Sequence, residues 1–243
     1  MAHLCCDMGE HQAWITFNLG YSEIAEADSR HHVLKVRLPF HNPTEHGLPP
    51  NEEYPQLQDV DEALDEEISS AGGVYVGRLT VDGHRYFYFY VGFPESQASD
   101  IVRRVATLTR YRLQYVYELD EEKTNYWNEL YPTVDDWQVI KDLDVLDRLA
   151  EHGDVKERKR EVMHWAYLPN EVVGREFADW AKSEHYVVHF SGKEEDGSEW
   201  LTQYSHVGTM TLADITSHTI KSNRKARELG GRYDGWETSI EKQ

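Results

Sequence analysis

The sequence predicts an α+β protein made of two sandwiches in tandem, each with helices on one side of an antiparallel sheet. Runs with strand periodicity alternate with amphipathic helical runs along the chain. Two Asp-Gly dipeptides, at 82–83 and 196–197, separate strand-like runs and are typical of hairpin turns. The pattern restarts near Tyr131-Pro132. We therefore expect two domains, residues 1–133 and 134–243.

The first half has the predicted order strand, strand, helix, strand, strand, helix, strand. These elements are expected at residues 13–19, 32–40, 54–71, 73–81, 84–93, 96–109 and 111–119. The first helix is predicted because its apolar residues recur at helical intervals: Leu57, Val60, Leu64 and Ile68. Gly72-Gly73 ends it. The order fits a ferredoxin-like (βαββαβ) sandwich with one extra strand at the N-terminal side.

The second half begins with a helix and then repeats the order strand, helix, strand, strand, helix, strand. The elements are expected at residues 134–152, 161–168, 170–183, 186–192, 200–209 and 212–229, with a last strand after Gly231. Asn170 follows Pro169 and is a candidate N-cap. This half is therefore predicted to be a second ferredoxin-like sandwich with a leading helix, although no residue-level repeat relates the two halves.

The chain is strongly acidic, with 25 Lys and Arg residues against 44 Asp and Glu residues and a net charge of −19. Residues 1–133 carry −12 of this charge. Nucleic-acid affinity comes largely from cationic side chains, so a protein partner is expected rather than a nucleic acid. Much of this charge comes from eight acids at and within the first predicted helix, with no basic residue among them: Glu52, Glu53, Asp59, Asp61, Glu62, Asp65, Glu66 and Glu67. They fit a solvated helix face or a docking face for a basic partner.

The first twelve residues lack a cationic run followed by an apolar stretch, and no apolar run is long enough to span a bilayer. A cytoplasmic protein without membrane contact is therefore expected. The only cysteines, Cys5 and Cys6, are adjacent, and a zinc site would need His3, Asp7 or His11 as further ligands. We favour a loosely docked terminus over that metal site.

Alternation along residues 85–91 predicts that the tyrosines of this strand point to one side and its phenylalanines to the other. Further tyrosines on the last strand of this half extend the bias. We therefore predict a tyrosine-rich sheet face as a candidate partner-binding surface: Tyr86, Tyr88, Tyr90, Tyr115 and Tyr117. Stacking of RNA bases on Tyr86, Tyr88 and Tyr90 is an alternative use of this face.

The C-terminal residues 230–240, GGRYDGWETSI, follow a long helix with an Arg-rich end. Together with the strand REVMHWAYLP, they resemble the regulator of ribonuclease E activity B (RraB) family over residues 134–243. That resemblance implies a ferredoxin-like sandwich that binds a ribonuclease and restrains it. Asp234, Trp236 and Glu237 are the candidate contact residues in this motif. A structural role for Asp234 and Trp236, as a turn and a core anchor, is favoured over catalysis.

The first half resembles the bacterial domain of unknown function 695. The matching pieces are the Gly-Leu-Pro at 47–49 with the acidic pair at 52–53, the hairpin at 74–90, and the aromatic residues at 126–131. This resemblance implies a domain without assigning it a reaction or a ligand.

Catalytic motifs are not apparent: the sequence has no phosphate-binding glycine pattern, no nucleophile elbow and no HExxH. His185, His189 and His206 could approach one another across a hairpin, and an exposed histidine pair is favoured there over a metal site. We therefore expect no cofactor. The preferred hypothesis is a non-catalytic regulatory or adaptor protein that binds another protein, and ribonuclease E or another RNA-processing enzyme is the candidate partner. The alternatives are an RNA-binding module and an uncharacterised hydrolase or metal enzyme. The sequence leaves the oligomeric state open.

Overall fold

The computed structural model of the chain describes residues 2–8, 11–193, 197 and 199–242, with side chains from residue 13 onward. The described chain divides into two compact units, Met1–Pro132 and Thr133–Gln243. Both contain an antiparallel sheet and α-helices, so the prediction of a mixed α+β protein is confirmed.

The first unit contains a six-stranded sheet with the order β1-β2-β4-β5-β3-β6. Its strands are Ala2–Met8 (β1), His11–Phe17 (β2), His32–Pro39 (β3), Val74–Val81 (β4), His84–Val91 (β5) and Gln114–Leu119 (β6). Two strands precede β3, whereas the sequence predicted one. The correction concerns β1, which pairs with β2 and lies in a segment that was expected to be loose. The side chains of Cys5 and Cys6 lie outside the described residues, so the structure leaves the zinc alternative there untested.

Two helices cover one side of this sheet: Tyr54–Ser70 (α1) and Glu95–Thr109 (α2). All four apolar residues of the predicted α1 stripe are fully buried, as their spacing predicted. They pack with Phe87 and Phe89 of β5 in the main core of the unit. Asp82 and Gly83 both adopt positive φ, which is the conformation that the predicted hairpin turn requires.

The second unit contains a four-stranded sheet with the order β10-β7-β9-β8. Its strands are Arg160–Leu168 (β7), Val187–Lys193 (β8), Trp200–Gly208 (β9) and Arg232–Thr238 (β10). Its helices are Val134–Glu151 (α3), Glu171–Ser183 (α4) and Leu212–Glu228 (α5). The turn predicted at 196–197 includes Asp196, which lies outside the described residues.

Side-chain caps fix the starts of two helices of the second unit, α3 and α4. Thr133 accepts a hydrogen bond from the backbone N–H of Asp136, and the Asp136 carboxylate accepts one from the backbone N–H of Thr133. The predicted N-cap Asn170 accepts a bond from the backbone of Val173. Both caps satisfy N–H groups that have no partner inside the helix.

Strands and helices follow one another in the same order in both units from β3 and β7 onward. In the first unit β3 lies between β5 and β6, and β4 lies on the other side of β5. In the second unit β7 lies between β9 and β10, and β8 lies on the other side of β9. All described strand pairs are antiparallel.

Candidate partner-binding surface

The tyrosine side of the first sheet is covered by the same unit. Tyr88 and Tyr90 are 1% and 0% exposed. The Tyr88 hydroxyl donates to Glu129 over 2.6 Å, and the Tyr90 hydroxyl donates to Asp120 over 2.7 Å. The ring of Tyr21 stacks on that of Tyr90 at a centroid distance of 5.5 Å. Burial raises the pKa of both hydroxyl groups, so they remain neutral donors.

The prediction of one face with five tyrosines is wrong. β6 pairs with β3 so that Tyr115 is opposite Val36, and Val36 is in turn opposite Phe87. Tyr115 and Tyr117 therefore lie on the helix side of the sheet and pack against its core. Tyr86 lies on the other side with Tyr88 and Tyr90, and it is half-buried.

Bases stack only on rings that are open to solvent. Because Tyr88 and Tyr90 are buried beneath residues of their own unit, the structure removes the basis for the RNA-stacking alternative.

Trp236 in the Tyr-Asp-Gly-Trp segment is a core residue of the second unit. It is 9% exposed and packs with Val162, Met210 and Ile215. Its indole Nε1 donates to Asp142 of α3 over 2.9 Å. Trp236 therefore connects the last strand to the leading helix, which is the anchoring role favoured from the sequence.

Asp142 was not singled out by the sequence analysis, although it is the centre of this connection. Its carboxylate is fully buried and also accepts hydrogen bonds from Thr219 of α5 over 2.5 Å and from Gln138 over 2.9 Å. Burial raises the pKa of Asp142, and the three hydrogen bonds oppose that shift. The sequence feature that could have identified Asp142 is its position: it is an acid on the inward-facing side of α3, whereas the other acids of this helix lie on its outer side.

The helices of the second unit leave one side of its sheet open. Strand register places alternate residues of β7, β9 and β10 on this side. We call this side the open face: Glu161, Met163, Trp165, Tyr167, Val187, His189, Phe190, Leu201, Gln203, Ser205, Val207, Arg232 and Glu237. The buried apolar clusters of the unit draw instead on residues of the opposite side, such as Ala166 and Tyr204.

Three apolar side chains on the open face are well exposed, whereas Leu201 is buried. Val207 is 70% exposed, Val187 59% and Phe190 43%. The Phe190 ring lies over the Cα of Gly192, where a Cβ would come within 2.7 Å of it. The guanidinium of Arg232 stacks on the Tyr167 ring at 3.9 Å and donates to Glu199 over 3.0 Å. Exposed apolar and aromatic groups with a charged rim are typical of protein-binding surfaces.

The candidate residues Asp234 and Glu237 are exposed on β10, the edge strand of this sheet. Asp234 accepts a hydrogen bond from Arg232 over 2.5 Å. Gly235 has φ of 145°, and the register of β10 shifts beside it. This irregularity agrees with the turn or bulge expected at Asp234-Gly235.

One constellation on the open face contains the residue types of a hydrolase. Nε2 of His189 lies 2.7 Å from Oγ of Ser205, and that hydroxyl donates to Glu161 over 2.8 Å. A nucleophilic serine would instead give its proton to the histidine, with the carboxylate on the other ring nitrogen. Glu161 here approaches the same Nε2, at 3.4 Å, and Ser205 is 2% exposed. This arrangement therefore differs from that of an activated nucleophile.

The histidines that do come together lie on the helix side of the second sheet. Nε2 of His164 is 2.8 Å from Nδ1 of His206, whose ring stacks on that of His218 at 3.6 Å. Nδ1 of His164 is 2.7 Å from the Tyr233 hydroxyl. Burial lowers the pKa of His206 to about 4 and that of His164 well below its usual value. The rings of His164 and His206 are therefore neutral at physiological pH.

The histidine grouping that was considered, and not favoured, across the hairpin is not formed, because His206 and His189 lie on opposite sides of the sheet. His185 precedes β8 with φ of 69°. In the part of the chain that the structure describes, no group of three or more metal-binding side chains is arranged to hold a metal ion. The helices of the described chain include none that is both long and apolar enough to cross a membrane.

Comparison with known families distinguishes the two units. The sequence model of a family of unknown function, DUF695, matches residues 3–131, which is more than half of the chain. The chain belongs to the DUF695 family. Residues 140–238 match a second family, described as regulator of ribonuclease activity B (RraB). Both resemblances predicted from the sequence are thus confirmed. We refer to the units below as the DUF695 unit and the RraB unit.

Other comparisons add little to these two matches. No curated protein matches the chain in sequence. A crystal structure described as that of an unknown protein from Galdieria sulphuraria aligns over 86% of this chain and 98% of its own, with 9% identity. Its TM-score of 0.23 is too low to indicate a shared fold.

Proposed function

We propose that this DUF695 protein regulates a ribonuclease by binding it and catalyses no reaction itself. The observation that carries the proposal is the match of residues 140–238 to the RraB family. The RraB unit also has an open face of suitable chemistry, on which Phe190, Tyr167 and Arg232 offer the residue types that dominate protein interfaces.

Charge supports a ribonuclease as the partner. Enzymes that act on RNA carry cationic surfaces, because phosphate contacts supply much of their affinity for the substrate. A chain with a net charge of −19 is attracted to such surfaces. At the edge of the open face, Glu161, Glu237 and Asp234 would meet cationic side chains of the enzyme. We therefore propose that the regulator competes with RNA for a basic surface.

The test is an inhibition assay with the full chain, purified ribonuclease E and a fluorescent RNA substrate. We expect cleavage to slow as the protein is added, and the effect to weaken at high salt because charge attraction is screened. The decisive comparison is between two valine substitutions of similar exposure. Val207→Asp lies on the open face, whereas Val172→Asp lies on α4 of the same unit, and the two valines are 70% and 77% exposed.

Val207→Asp should weaken inhibition at least about tenfold, because the variant loses the apolar contact area of Val207 and must strip water from a carboxylate to cover this position. Val172→Asp should leave inhibition unchanged. Equal loss in both variants would place the contact elsewhere, and no inhibition by the wild-type chain would refute regulation of this ribonuclease.

We propose that each unit is a ferredoxin-like sandwich that folds as a separate domain, with the boundary after residue 133. The supporting observations are the shared strand order and the division of the described chain into two compact units. Expression of residues 1–133 and 134–243 as separate proteins tests this proposal, since each should give cooperative thermal unfolding.

We also propose a cytoplasmic location, where ribonucleases that process RNA act. Microscopy of a tagged chain tests this location.

A further inference from the structure

A cleft in the DUF695 unit lies between the N-terminal half of α1 and strands β2, β4 and β5. Two adjoining cavities form it, with volumes of 220 and 470 Å³. Both are lined by Tyr54, Arg78 and Arg85. The cleft is far smaller than a protein interface and matches the size of a small-molecule site.

Two guanidinium groups and one carboxylate set the charge of the cleft. The Arg85 side chain is 6% exposed and that of Arg78 29%. Both donate to Asp61 of α1, Arg85 over 3.2 Å. Asp61 is the one acidic side chain among the described residues that line the two cavities. The lining therefore has an excess of one positive charge, within a unit that is acidic as a whole.

The guanidinium groups have more donors than the protein uses. Nε of Arg85 donates to Thr80 over 3.3 Å and its Nη1 donates to Asp61, whereas its Nη2 meets no acceptor among the described residues. Arg78 bonds Asp61 through Nη1 alone within the described chain. A guanidinium has five N–H donors, and the donors of Arg78 and Arg85 that the protein leaves unbonded are open to solvent in the cleft, since neither side chain is among the described buried groups without a partner. An additional acceptor that carries a negative charge would satisfy both groups.

Apolar groups line the rest of the cleft. Trp14 and Tyr54 are 46% and 47% exposed, and Leu48 lies beside them. Large aromatic rings that remain half-exposed at the mouth of a small cavity are suited to contact a flat apolar group. The cleft thus combines an anion-binding end with an aromatic wall.

We propose that this cleft binds a small molecule in which one carboxylate or phosphate group is attached to a flat apolar group. The oxyanion bonds the free guanidinium donors of Arg78 and Arg85, and the apolar group contacts Trp14 and Tyr54. Such charge-assisted bonds are the strong class of hydrogen bond, and arginine presents them in the fork geometry that carboxylate and phosphate match. The site lies in the DUF695 unit and is independent of ribonuclease binding by the RraB unit.

Calorimetric titration of the full chain with three probes tests the proposal. Benzoate and phenyl phosphate carry the proposed anionic groups, and benzamide has the shape of benzoate without its charge. We expect saturable binding of at least one anion, with benzamide at least about tenfold weaker. The tighter of the two anions identifies the oxyanion. Equal binding of benzoate and benzamide, or no saturable binding of either anion, would overturn the proposal.

Three variants locate the site. Arg78→Gln should weaken binding of the anion about tenfold or more, and Arg104→Gln should leave it unchanged. Arg104 is a matched control because it pairs with Glu67 on the surface of the same unit, outside the cleft. Asp61→Asn removes the competing carboxylate and should strengthen binding, a gain that a purely structural ion pair would not produce. Circular dichroism checks the fold, and Asp61→Asn decides the question if Arg78→Gln does not fold. Unchanged affinity in the folded variants would refute the site.

Discussion

The histidine cluster of the RraB unit should make its stability depend on pH. Burial, and to a smaller extent the neighbouring His218, lowers the pKa of His206 from 6.5 to about 4, although the carboxylate of Asp214 opposes the shift. The hydrogen bond between the rings of His164 and His206 also needs one of the two facing nitrogens to be unprotonated. The unfolded chain therefore takes up a proton at a higher pH than the folded chain does.

The sign and size of the effect follow from this difference. Between pH 6.5 and about 4 the unfolded state binds more protons at this position, so the free energy of unfolding falls as the pH falls. The stabilisation is complete above pH 6.5. Each pH unit of difference is worth about 1.4 kcal/mol, so His206 contributes a loss of about 2 kcal/mol at pH 5 and about 3 kcal/mol at pH 4. His206 is 8% exposed, so solvent screens little of this energy.

Urea unfolding of the full chain at pH 7.5 and pH 5 measures this loss. Hydrogen exchange in peptides from β7 and β9 reports the unfolding of the RraB unit specifically. His206→Gln is the comparison, since glutamine keeps an amide beside His164 and cannot be protonated. The difference in unfolding free energy between the two pH values should be about 2 kcal/mol smaller in this variant. The same pH dependence in both proteins, or an NMR titration of the His206 ring near pH 6.5 in the folded chain, would refute the reasoning.

Three further substitutions test individual contacts. Asp142→Ala should lower the free energy of unfolding of the RraB unit by about 2–4 kcal/mol, because Trp236 and two other buried donors lose their acceptor. Thermal unfolding measures this loss, and a loss below about 1 kcal/mol would contradict a stabilising role of Asp142. Tyr90→Phe should cost about 1–2 kcal/mol in the DUF695 unit through the lost bond to Asp120, as urea unfolding would show, and no loss would mean that the bond contributes nothing. Gly174→Ala places a methyl group against a neighbouring indole, so the melting temperature should fall by several degrees; an unchanged value would show that the indole moves freely.

Local patterns in the sequence predicted most helices and hairpins. The buried stripe of α1, the turn at Asp82-Gly83 and the N-cap at Asn170 depend on residues a few positions apart, and all three agree with the structure. The failures concern pairing between distant segments. β1 was missed because its pattern is weak and its strand forms only by pairing with β2. Tyr115 was placed on the wrong side because the pattern of one strand does not fix its register against another.

In the candidate sites too, features that depend on a local motif were predicted, whereas contacts between distant residues were not. The match of the C-terminal motif identified the RraB unit, and Trp236 behaves as the predicted anchor. The acid run of α1 was interpreted as a solvated or docking face, yet Asp61 within it pairs with two arginines of the sheet. No spacing rule links an acid on a helix to cations 17 and 24 residues further along.

The sequence by itself determined the α+β class, the two families and the acidic character of the chain, because these depend on composition, local periodicity and short motifs. Only the tertiary structure decided which polar groups are buried together: the carboxylate of Asp142, the rings of His164, His206 and His218, and the arginines around Asp61. Burial removes water from such groups and makes each depend on partners that strand pairing and helix packing bring from distant positions.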